Sequence, residues 1–308
     1  MMSAFERLDT AIRGQVPDRI PVSVWFHFGS EHLPPEAVAR LHVDYFRTYR
    51  WDFLKVMFDY RVELPDRIDD RHDLDVDLLH SQTLWSAPFE RQFACLRILH
   101  GELGGEAPII ETVYSPWMYL LRHVGYDQAH ALLERPQLAA ELVGRITDET
   151  CRHVNRLKEA GIHGIYFATT AGCAAVGGAE FLLQSREDRA VLAEAEGLVR
   201  ILHLHGPDTD PVRLRDYPRE VLHREDRDPT NPGLQALRSR AGGAVMGGLP
   251  HDTLTRISQS RLRATIVDAV DAVGRAGFIL APGCVVSPSI ARRTLLGIRN
   301  DPYLCNGT

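Results

Sequence analysis

The sequence has few lysines, no excess of positive charge and no long run of apolar residues. Lys55 and Lys158 are the two lysines among 35 basic residues, a bias that we attribute to the base composition of the genome. A net charge of −6 offers no broad basic surface to nucleic acid, so we expect no nucleic-acid partner. No apolar run approaches the ~20 residues of a membrane-spanning helix, so we expect no membrane association.

Cysteine usage and the first residues of the chain bear on the cellular compartment. The five cysteines are scattered and odd in number, which is typical of a reducing compartment rather than of a disulfide framework. Residues 1–7 contain no apolar core of a signal peptide. We therefore expect a cytoplasmic protein.

Short apolar segments alternate with amphipathic helices, which is the pattern of a parallel α/β protein. Eight segments are predicted as strands, at residues 20–26, 53–58, 108–113, 163–167, 197–205, 220–222, 244–246 and 277–280. The sequence therefore predicts one domain over residues 1–308, a (β/α)8 TIM barrel, with an irregular insertion, a hairpin or lid, at residues 60–106 after strand two. A doubly wound open sheet is the alternative, but no Gly-x-Gly-x-x-Gly motif follows the first strand to support it.

Two histidines and one distant cysteine have the arrangement of a metal site. His203 and His205 are two residues apart on a predicted strand, so both side chains point to one face, roughly 6–7 Å apart. Cys284 comes just after another apolar strand. Three such ligands with a fourth position open are typical of catalytic rather than structural zinc. The alternative is two hydrogen-bonded histidines at a strand end and a small buried cysteine.

Polar residues follow several other predicted strands, where a TIM barrel carries its active site. Asp59 comes directly after the second strand, where a carboxylate could have a raised pKa and act as acid or base, or could bind a cationic substrate. A helix cap or a salt bridge is the structural alternative. His27 is either a substrate contact or an ordinary interior histidine. Gly247 and Gly248 predict a close backbone approach or an unusual turn.

Residues 223–227 are five consecutive ionisable residues, His-Arg-Glu-Asp-Arg. They follow a predicted strand, so His223, Glu225 and Asp226 could reach the same rim as the other polar residues. Runs of charge are usually solvated, however, and we predict a solvent-exposed loop here.

Six short stretches of the sequence together resemble one family of proteins. They are residues 13–22, 58–59, 108–117, 164–167, 245–249 and 281–284. In this order and spacing they resemble the uroporphyrinogen decarboxylase superfamily over nearly the whole chain. That superfamily contains the zinc-dependent coenzyme M methyltransferases and is related to cobalamin-independent methionine synthase. The resemblance implies a (β/α)8 barrel, in agreement with the strand count.

The resemblance also implies a set of site residues. The catalytic aspartate of the family matches Asp59 and its serine matches Thr169, whereas its substrate-contacting tyrosine and its late histidine match Arg122 and Cys284. We accordingly expect Asp59, His27 and Thr169 to take part in catalysis. Substrate binding is expected at Phe26, Phe28, Tyr114, Arg122, Gly247 and Gly248.

The chain departs from true uroporphyrinogen decarboxylases after the first predicted strand. That family has a Met-Arg-Gln-Ala-Gly-Arg stretch whose arginines hold the substrate carboxylates, whereas residues 25–30 here are Trp-Phe-His-Phe-Gly-Ser. Phe26 and Ser30 replace both arginines, so the main cationic clamp for a polycarboxylate tetrapyrrole is missing. We therefore expect a substrate other than uroporphyrinogen.

The methyltransferase branch of the superfamily has metal ligands in a His-x-Cys pattern and a later cysteine. Here His203-x-His205 and Cys284 stand in those places, so one thiolate is exchanged for an imidazole. The exchange lowers the negative charge around the metal by one. A zinc ion in this site should be a stronger Lewis acid and a weaker activator of a bound thiolate.

Three functions are compatible with the sequence. We favour a zinc-dependent methyl or alkyl transferase that acts on a small molecule, with the metal on His203, His205 and Cys284. A thiol would be the co-substrate and a corrinoid protein or a methylated small molecule the donor, and the resemblance also implies a homodimer. One alternative is a cofactor-free decarboxylase of a small aromatic or heterocyclic acid that uses Asp59. The other is a non-catalytic barrel that binds a ligand.

Overall fold

Seven parallel strands, each paired with its neighbour in chain order, form one sheet in the computed structural model of the chain, which describes residues 1–62 and 82–305. The strands are β1 (Leu54–Val56), β2 (Ile109–Tyr114), β3 (Gly164–Thr169), β4 (Val199–Leu204), β5 (Val221–Arg224), β6 (Ala244–Leu249) and β7 (Phe278–Pro282). Parallel neighbours need a crossover connection, which is why helices alternate with them. The predicted α/β class is confirmed.

Helices cover the outer face of the sheet. Ser3 caps the first helix through a capping box with Glu6, and the Ser258 side chain caps the ninth. None of the helices in the described ranges is long and apolar enough to cross a membrane. The helices are α1 (Ala4–Ile12), α2 (Pro35–Tyr49), α3 (Gln82–Leu103), α4 (Pro116–Val124), α5 (Tyr126–Ala131), α6 (Pro136–Glu159), α7 (Gly178–Glu194), α8 (Leu234–Ala241), α9 (Gln259–Val273) and α10 (Arg292–Arg299), with 3-10 turns at Leu132–Glu134, Pro211–Leu214 and Pro302–Leu304.

The first of the eight predicted strands, residues 20–26, is not a regular strand, whereas the other seven are present. Val22 forms a single bridge to Leu280 of β7. The Val22 carbonyl also accepts a 3.0 Å hydrogen bond from the backbone N–H of Asp52, just before β1. This segment therefore lies between β7 and β1, but it lacks the repeated backbone hydrogen bonds that define a strand. Pro21 has no N–H to donate, which limits such pairing.

The predicted irregular insertion, residues 60–106, is described in part. Residues 63–81 lie outside the described residues, and helix α3 occupies most of residues 82–106. The expectation of irregular chain is therefore wrong for this part. Pro88 lies inside α3, and proline ordinarily argues against a helix interior.

Side-chain alternation along the strands decides what lies on the inner face of the sheet. Tyr166 of β3 and Ile201 of β4 belong to an inner apolar cluster, whereas Phe167 and Leu202 belong to the outer core shared with the helices. His203 comes two residues after Ile201 and therefore points inward. The inner side chains at the carboxyl ends of the strands form the candidate site.

Candidate functional site

The carboxyl ends of the strands surround a cavity of about 410 Å³. Charged, aromatic and sulfur-bearing side chains converge on it, as in most small-molecule sites. The wall includes the predicted residues His27, Asp59, Tyr114, Arg122, His203, His205 and Cys284. It also includes residues that the sequence did not single out, namely Trp25, Gly29, Glu31, Lys55, Met57, Arg61, Thr112, Met118, Tyr166, Ala168 and Val285.

Four potential metal ligands meet at one corner of this cavity. One ligand atom each from His203, His205, Glu225 and Cys284 lie within 4.8 Å of one another. Cys284 Sγ is 3.7 Å and Glu225 Oε1 is 3.8 Å from Nδ1 of His205. Ligand atoms around a tetrahedral zinc ion lie about 3.3–3.8 Å apart, given bond lengths of about 2.0–2.3 Å. The side chains therefore fit a zinc ion with little rearrangement.

His203 has the environment of a ligand rather than of a core histidine. It is 1% exposed, and neither ring nitrogen has a hydrogen-bond partner among the described residues. Its neighbours are rings, with the centroid of His223 at 4.8 Å and that of Tyr166 at 5.0 Å. Burial, with further help from the nearby His223 and His205, holds the pKa of His203 well below its usual value. The ring is therefore neutral, which is the form that coordinates a metal.

Glu225 is the ligand candidate that sequence reasoning missed. Its Oε1 faces His205, and its Oε2 lies 4.0 Å from Nε2 of His251. Burial and then the negative charge of Glu225 raise the pKa of the Cys284 thiol to about 12. The thiol is therefore protonated at neutral pH, and a metal ion would have to displace that proton.

The charged run at residues 223–227 is largely buried, so the prediction of a solvent-exposed loop is wrong. His223 and Arg224 are 0% exposed because they form the end of β5, an interior strand of the sheet. His223 Nε2 lies 3.0 Å from the carbonyl oxygen of Pro282, which can only accept, so this nitrogen carries the ring proton. Its Nδ1 accepts a 2.8 Å hydrogen bond from the Tyr166 hydroxyl. The ring thereby ties β5 to β3 and β7.

His27 and Asp59 form a hydrogen-bonded pair at the cavity wall. Nδ1 of His27 donates a short hydrogen bond to Oδ1 of Asp59. Asp59 is 7% exposed, and its Oδ2 has no partner in the described part of the chain. Burial acts to raise the pKa of Asp59, but the hydrogen bond and charge of His27 outweigh it and hold this pKa below its ordinary value. The expectation of a raised pKa is therefore wrong, and Asp59 is an ionised acceptor.

Tyr114 and Arg122, both predicted to bind substrate, lie together in the cavity. The Arg122 guanidinium is 4.0 Å from the centre of the Tyr114 ring, a cation–π arrangement. Phe26 and Phe28 do not line the cavity. Their rings pack against each other at 4.8 Å and against Tyr45 of α2. The aromatic pair is therefore part of the helix-facing core.

Thr169, predicted to be catalytic, also lies outside the cavity wall. It has the same parity as Phe167 on β3 and so faces the helices. Its hydroxyl donates a 2.6 Å hydrogen bond to Asp188 of α7. Burial raises the pKa of Asp188 to about 7, although Thr169 and Tyr217 both hydrogen-bond to it. This arrangement stabilises the contact between β3 and α7.

Gly247 and Gly248 lie in β6, where they allow an unusual backbone conformation, and they do not line the cavity. Both have positive φ angles, of 153° and 102°. A Cβ at Gly247 would lie 2.4 Å from Oδ1 of Asp226, the atom that accepts a 2.9 Å hydrogen bond from the Gly248 N–H. The close backbone approach expected of this pair is present, but it accommodates Asp226 rather than a cavity-bound substrate.

The chain resembles known structures in its fold. A methyltransferase from Methanosarcina mazei superposes with a TM-score of 0.75 at 15% identity, over 98% of this chain and 100% of the other. A B12-independent methionine synthase from Shewanella sp. W3-18-1, in complex with selenomethionine, gives 0.56 at 12% identity, over 94% of both chains. A putative vitamin-B12 independent methionine synthase from Listeria monocytogenes gives 0.50 at 12% identity, over 86% of this chain and 85% of the other. At these identities the likeness establishes the fold alone.

The family is established by sequence. No curated protein matches the chain. The family model of uroporphyrinogen decarboxylase, however, matches residues 71–295, which is most of the chain. The matched range carries the predicted metal ligands on β4 and after β7. The resemblance found in the short sequence stretches is thus confirmed, and the protein belongs to the uroporphyrinogen decarboxylase family.

Proposed function

We propose that this protein is a zinc-dependent transferase that moves a methyl or other alkyl group onto a small thiol. The single observation that carries the proposal is the convergence of His203, His205 and Cys284, with Glu225 beside them, at separations that suit one tetrahedral ion. The unpartnered nitrogens of buried His203 support it, because such groups cost about 1–3 kcal/mol unless something binds them.

The bound ion would supply a Lewis acid that lowers the pKa of a coordinated thiol, so that the thiol can accept an alkyl group. Of the residues, His203 and His205 would contribute neutral ligands and Cys284 a thiolate. Glu225 would lie beside these three ligands and add a second negative charge, which restores the charge removed where His205 replaces a cysteine and leaves a position for the thiol. The weaker thiolate activation expected from a three-ligand site is then offset.

His27 and Asp59 would handle the proton that the acceptor thiol gives up. Asp59 accepts the hydrogen bond from Nδ1 of His27, so the other ring nitrogen, Nε2, offers a lone pair to a proton whenever it is unprotonated. The ionised carboxylate stabilises the imidazolium that forms when Nε2 takes up a proton. Tyr114 and Arg122, which also line the cavity, would orient the substrate.

The fold comparisons support alkyl transfer, since the similar structures carry the names methyltransferase and methionine synthase. We further propose that the donor is a corrinoid protein or a methylated small molecule, and that the enzyme is a cytoplasmic homodimer. The chain would be a single domain over residues 1–308. Residues 20–26 would occupy the position of the eighth strand and so complete a (β/α)8 barrel.

Metal analysis of the purified protein tests the proposal. We expect about one zinc ion per chain in the wild type, and loss of most of it in Cys284→Ser, because a hydroxyl is a much poorer zinc ligand than a thiolate. Cys151→Ser, which changes a thiol on helix α6, is the matched control and should retain the metal. A wild-type protein that binds no divalent metal after incubation with zinc would overturn the proposal.

A cofactor-free decarboxylase is the second candidate, favoured by the buried, unpartnered Oδ2 of Asp59. That oxygen could stabilise a cationic intermediate while CO₂ leaves an aromatic or heterocyclic acid. Two variants separate the candidates. A decarboxylase should lose turnover in Asp59→Asn and tolerate Cys284→Ser, whereas the transferase should lose turnover in both.

A further inference from the structure

Lys55 lies inside the sheet, at the wall of the candidate site. It belongs to β1, is 3% exposed and faces the cavity. Its Nζ donates a 2.8 Å hydrogen bond to Oγ1 of Thr112 and lies 3.2 Å from Sδ of Met57. The same nitrogen is 4.1 Å from the centre of the Tyr166 ring and 5.0 Å from that of Trp25. The amine is therefore surrounded by one hydroxyl, one thioether and two ring faces.

No carboxylate among the described residues lies within ion-pair distance of this nitrogen. Asp59 is already bonded to His27, and the carboxylate of Glu111 accepts two hydrogen bonds from Gln92. Burying a cation without an anionic partner is costly, and the ring faces offset only part of that cost. The cavity thus contains an amine whose charged form would have no anionic partner among the described residues.

The electrostatics agree with this geometry. Burial lowers the pKa of Lys55 to about 7; interaction with the acidic groups of Cys284, Glu111 and Asp59 acts to raise it, and the charge of Arg122 acts to lower it. An arginine in this place would remain charged at all accessible pH values. A lysine can remain neutral in apolar surroundings and take up a proton together with an anionic ligand.

The two lysines of the chain lie in different surroundings. Base composition accounts for arginine elsewhere in the chain, but one of the two lysines lies buried at the site. Lys158, the other, is on helix α6 and donates a 2.7 Å hydrogen bond to the Glu194 carbonyl on the outer surface. The two positions therefore provide a test residue and a matched control.

We propose that Lys55 binds a carboxylate of the substrate, so that the enzyme acts on a small carboxylic acid held between Lys55 and the metal corner. The inference rests on the proposed function for the identity of the reacting site, but the carboxylate contact is independent of the metal. One ammonium matches one monovalent anion. Arg122 and Arg61 line the same cavity and add to its attraction for acids, whereas Glu31 and Asp59 on the same wall oppose it.

Calorimetric titration of the purified protein with simple probes tests the proposal. The probes are acetate, propionate and benzoate, each compared with its neutral amide. We expect at least one acid to bind about 10- to 100-fold more tightly than its amide, and Lys55→Met to lose that preference, because a charged hydrogen bond is removed. Lys158→Met should bind as the wild type does. Binding should also take up a proton, seen as a dependence of the heat on the buffer.

Chemical labelling of lysines in the wild type provides a second test, which remains available if Lys55→Met does not fold. Brief acetylation near pH 7.5 followed by mass spectrometry should show that the bound acid protects Lys55 and leaves Lys158 unchanged. Any one of four results would overturn the inference. In the titrations these are equal binding of acids and amides, unaltered affinity in Lys55→Met, and tight binding of inorganic phosphate in place of the acids. In the labelling experiment it is a lack of protection of Lys55. Zinc content is measured on the same samples. Lys55-dependent acid binding in a protein that takes up no zinc would overturn the proposed function and leave this inference standing.

Discussion

Cys284 Sγ lies 3.7 Å from Nδ1 of His205, although 79 positions separate the two residues in the chain. The contact exists because β4 and β7 end at the same rim of a curled parallel sheet. Glu225, from the end of β5, completes the group from between them. Three strand ends thus bring potential metal ligands to one point, and the first prediction concerns what a metal ion would do there.

Removal of zinc should destabilise the zinc-loaded wild type. A ligand whose dissociation constant for the folded state is well below its free concentration adds several kcal/mol to the free energy of unfolding. A chelator should therefore lower the midpoint of thermal unfolding by about 5–10 °C. Calorimetric scans with and without the chelator measure the shift. Cys151→Ser should behave as the wild type, whereas Cys284→Ser should respond little. An equal shift in Cys284→Ser would contradict the assignment of that thiol.

Asp59→Asn should reduce turnover by about 100-fold or more, because the amide cannot stabilise the protonated ring of His27. It should also change how stability depends on pH. His27 holds the pKa of Asp59 below its ordinary value, so the carboxylate stabilises the folded state above about pH 4, and this contribution is lost as pH falls below that value. Urea unfolding at pH 7 and pH 3 should show a difference between wild type and variant that shrinks in acid. A constant difference would argue against an ionised Asp59.

Thr169→Val should leave zinc content and turnover nearly unchanged and lower the free energy of unfolding by about 1–3 kcal/mol. The reason is that the Thr169 hydroxyl donates to buried Asp188 on the helix side of β3. Urea titration measures the loss of stability, and Thr169→Ser, which retains the hydroxyl, should restore most of it. A large fall in turnover at unchanged stability would instead indicate the catalytic role predicted from the family resemblance.

Gly247→Ala should be severely destabilising, by about 2 kcal/mol or more, because the new Cβ would lie 2.4 Å from Oδ1 of Asp226 on a backbone with positive φ. Gly144→Ala is the matched control. Gly144 lies in helix α6, and a Cβ added there would have no heavy atom within 4 Å beyond its own helical neighbours, so alanine should be neutral or slightly stabilising. Thermal unfolding of both variants distinguishes crowding from a general intolerance of change. Similar stability of the two would refute the close approach of Asp226.

The convergence of the candidate metal ligands could be anticipated because it depends on two simple rules. Residues two apart on a strand share a face, and the ends of parallel strands share a rim, so His203, His205 and Cys284 were expected to meet. Glu225 obeys the same rules but lies in a run of charges, where solvation was the default expectation. Its partial burial follows from the interior position of β5, which only the order of strands in the sheet reveals.

The residues that line the rest of the cavity were harder to predict, because a side chain lines it only if it points to the inner face of the sheet. Thr169 is the last residue of β3 and has the parity of Phe167, so it faces α7, although the family resemblance placed it in the site. Phe26 and Phe28 belong to a segment that pairs through single bridges only, so strand parity could not be applied to them. Lys55 was overlooked because an apolar strand with one lysine gives no sign of where its amine lies.

The division of the rim between strands has an evolutionary consequence. The candidate metal ligands come from the ends of β4, β5 and β7, whereas Lys55, Thr112 and Tyr166, which shape the rest of the cavity, come from β1, β2 and β3. Selection could therefore exchange one set while leaving the other intact. Relatives that share the reactive centre would be free to diversify in what they accept, and paralogues of this chain should differ most along its first three strands.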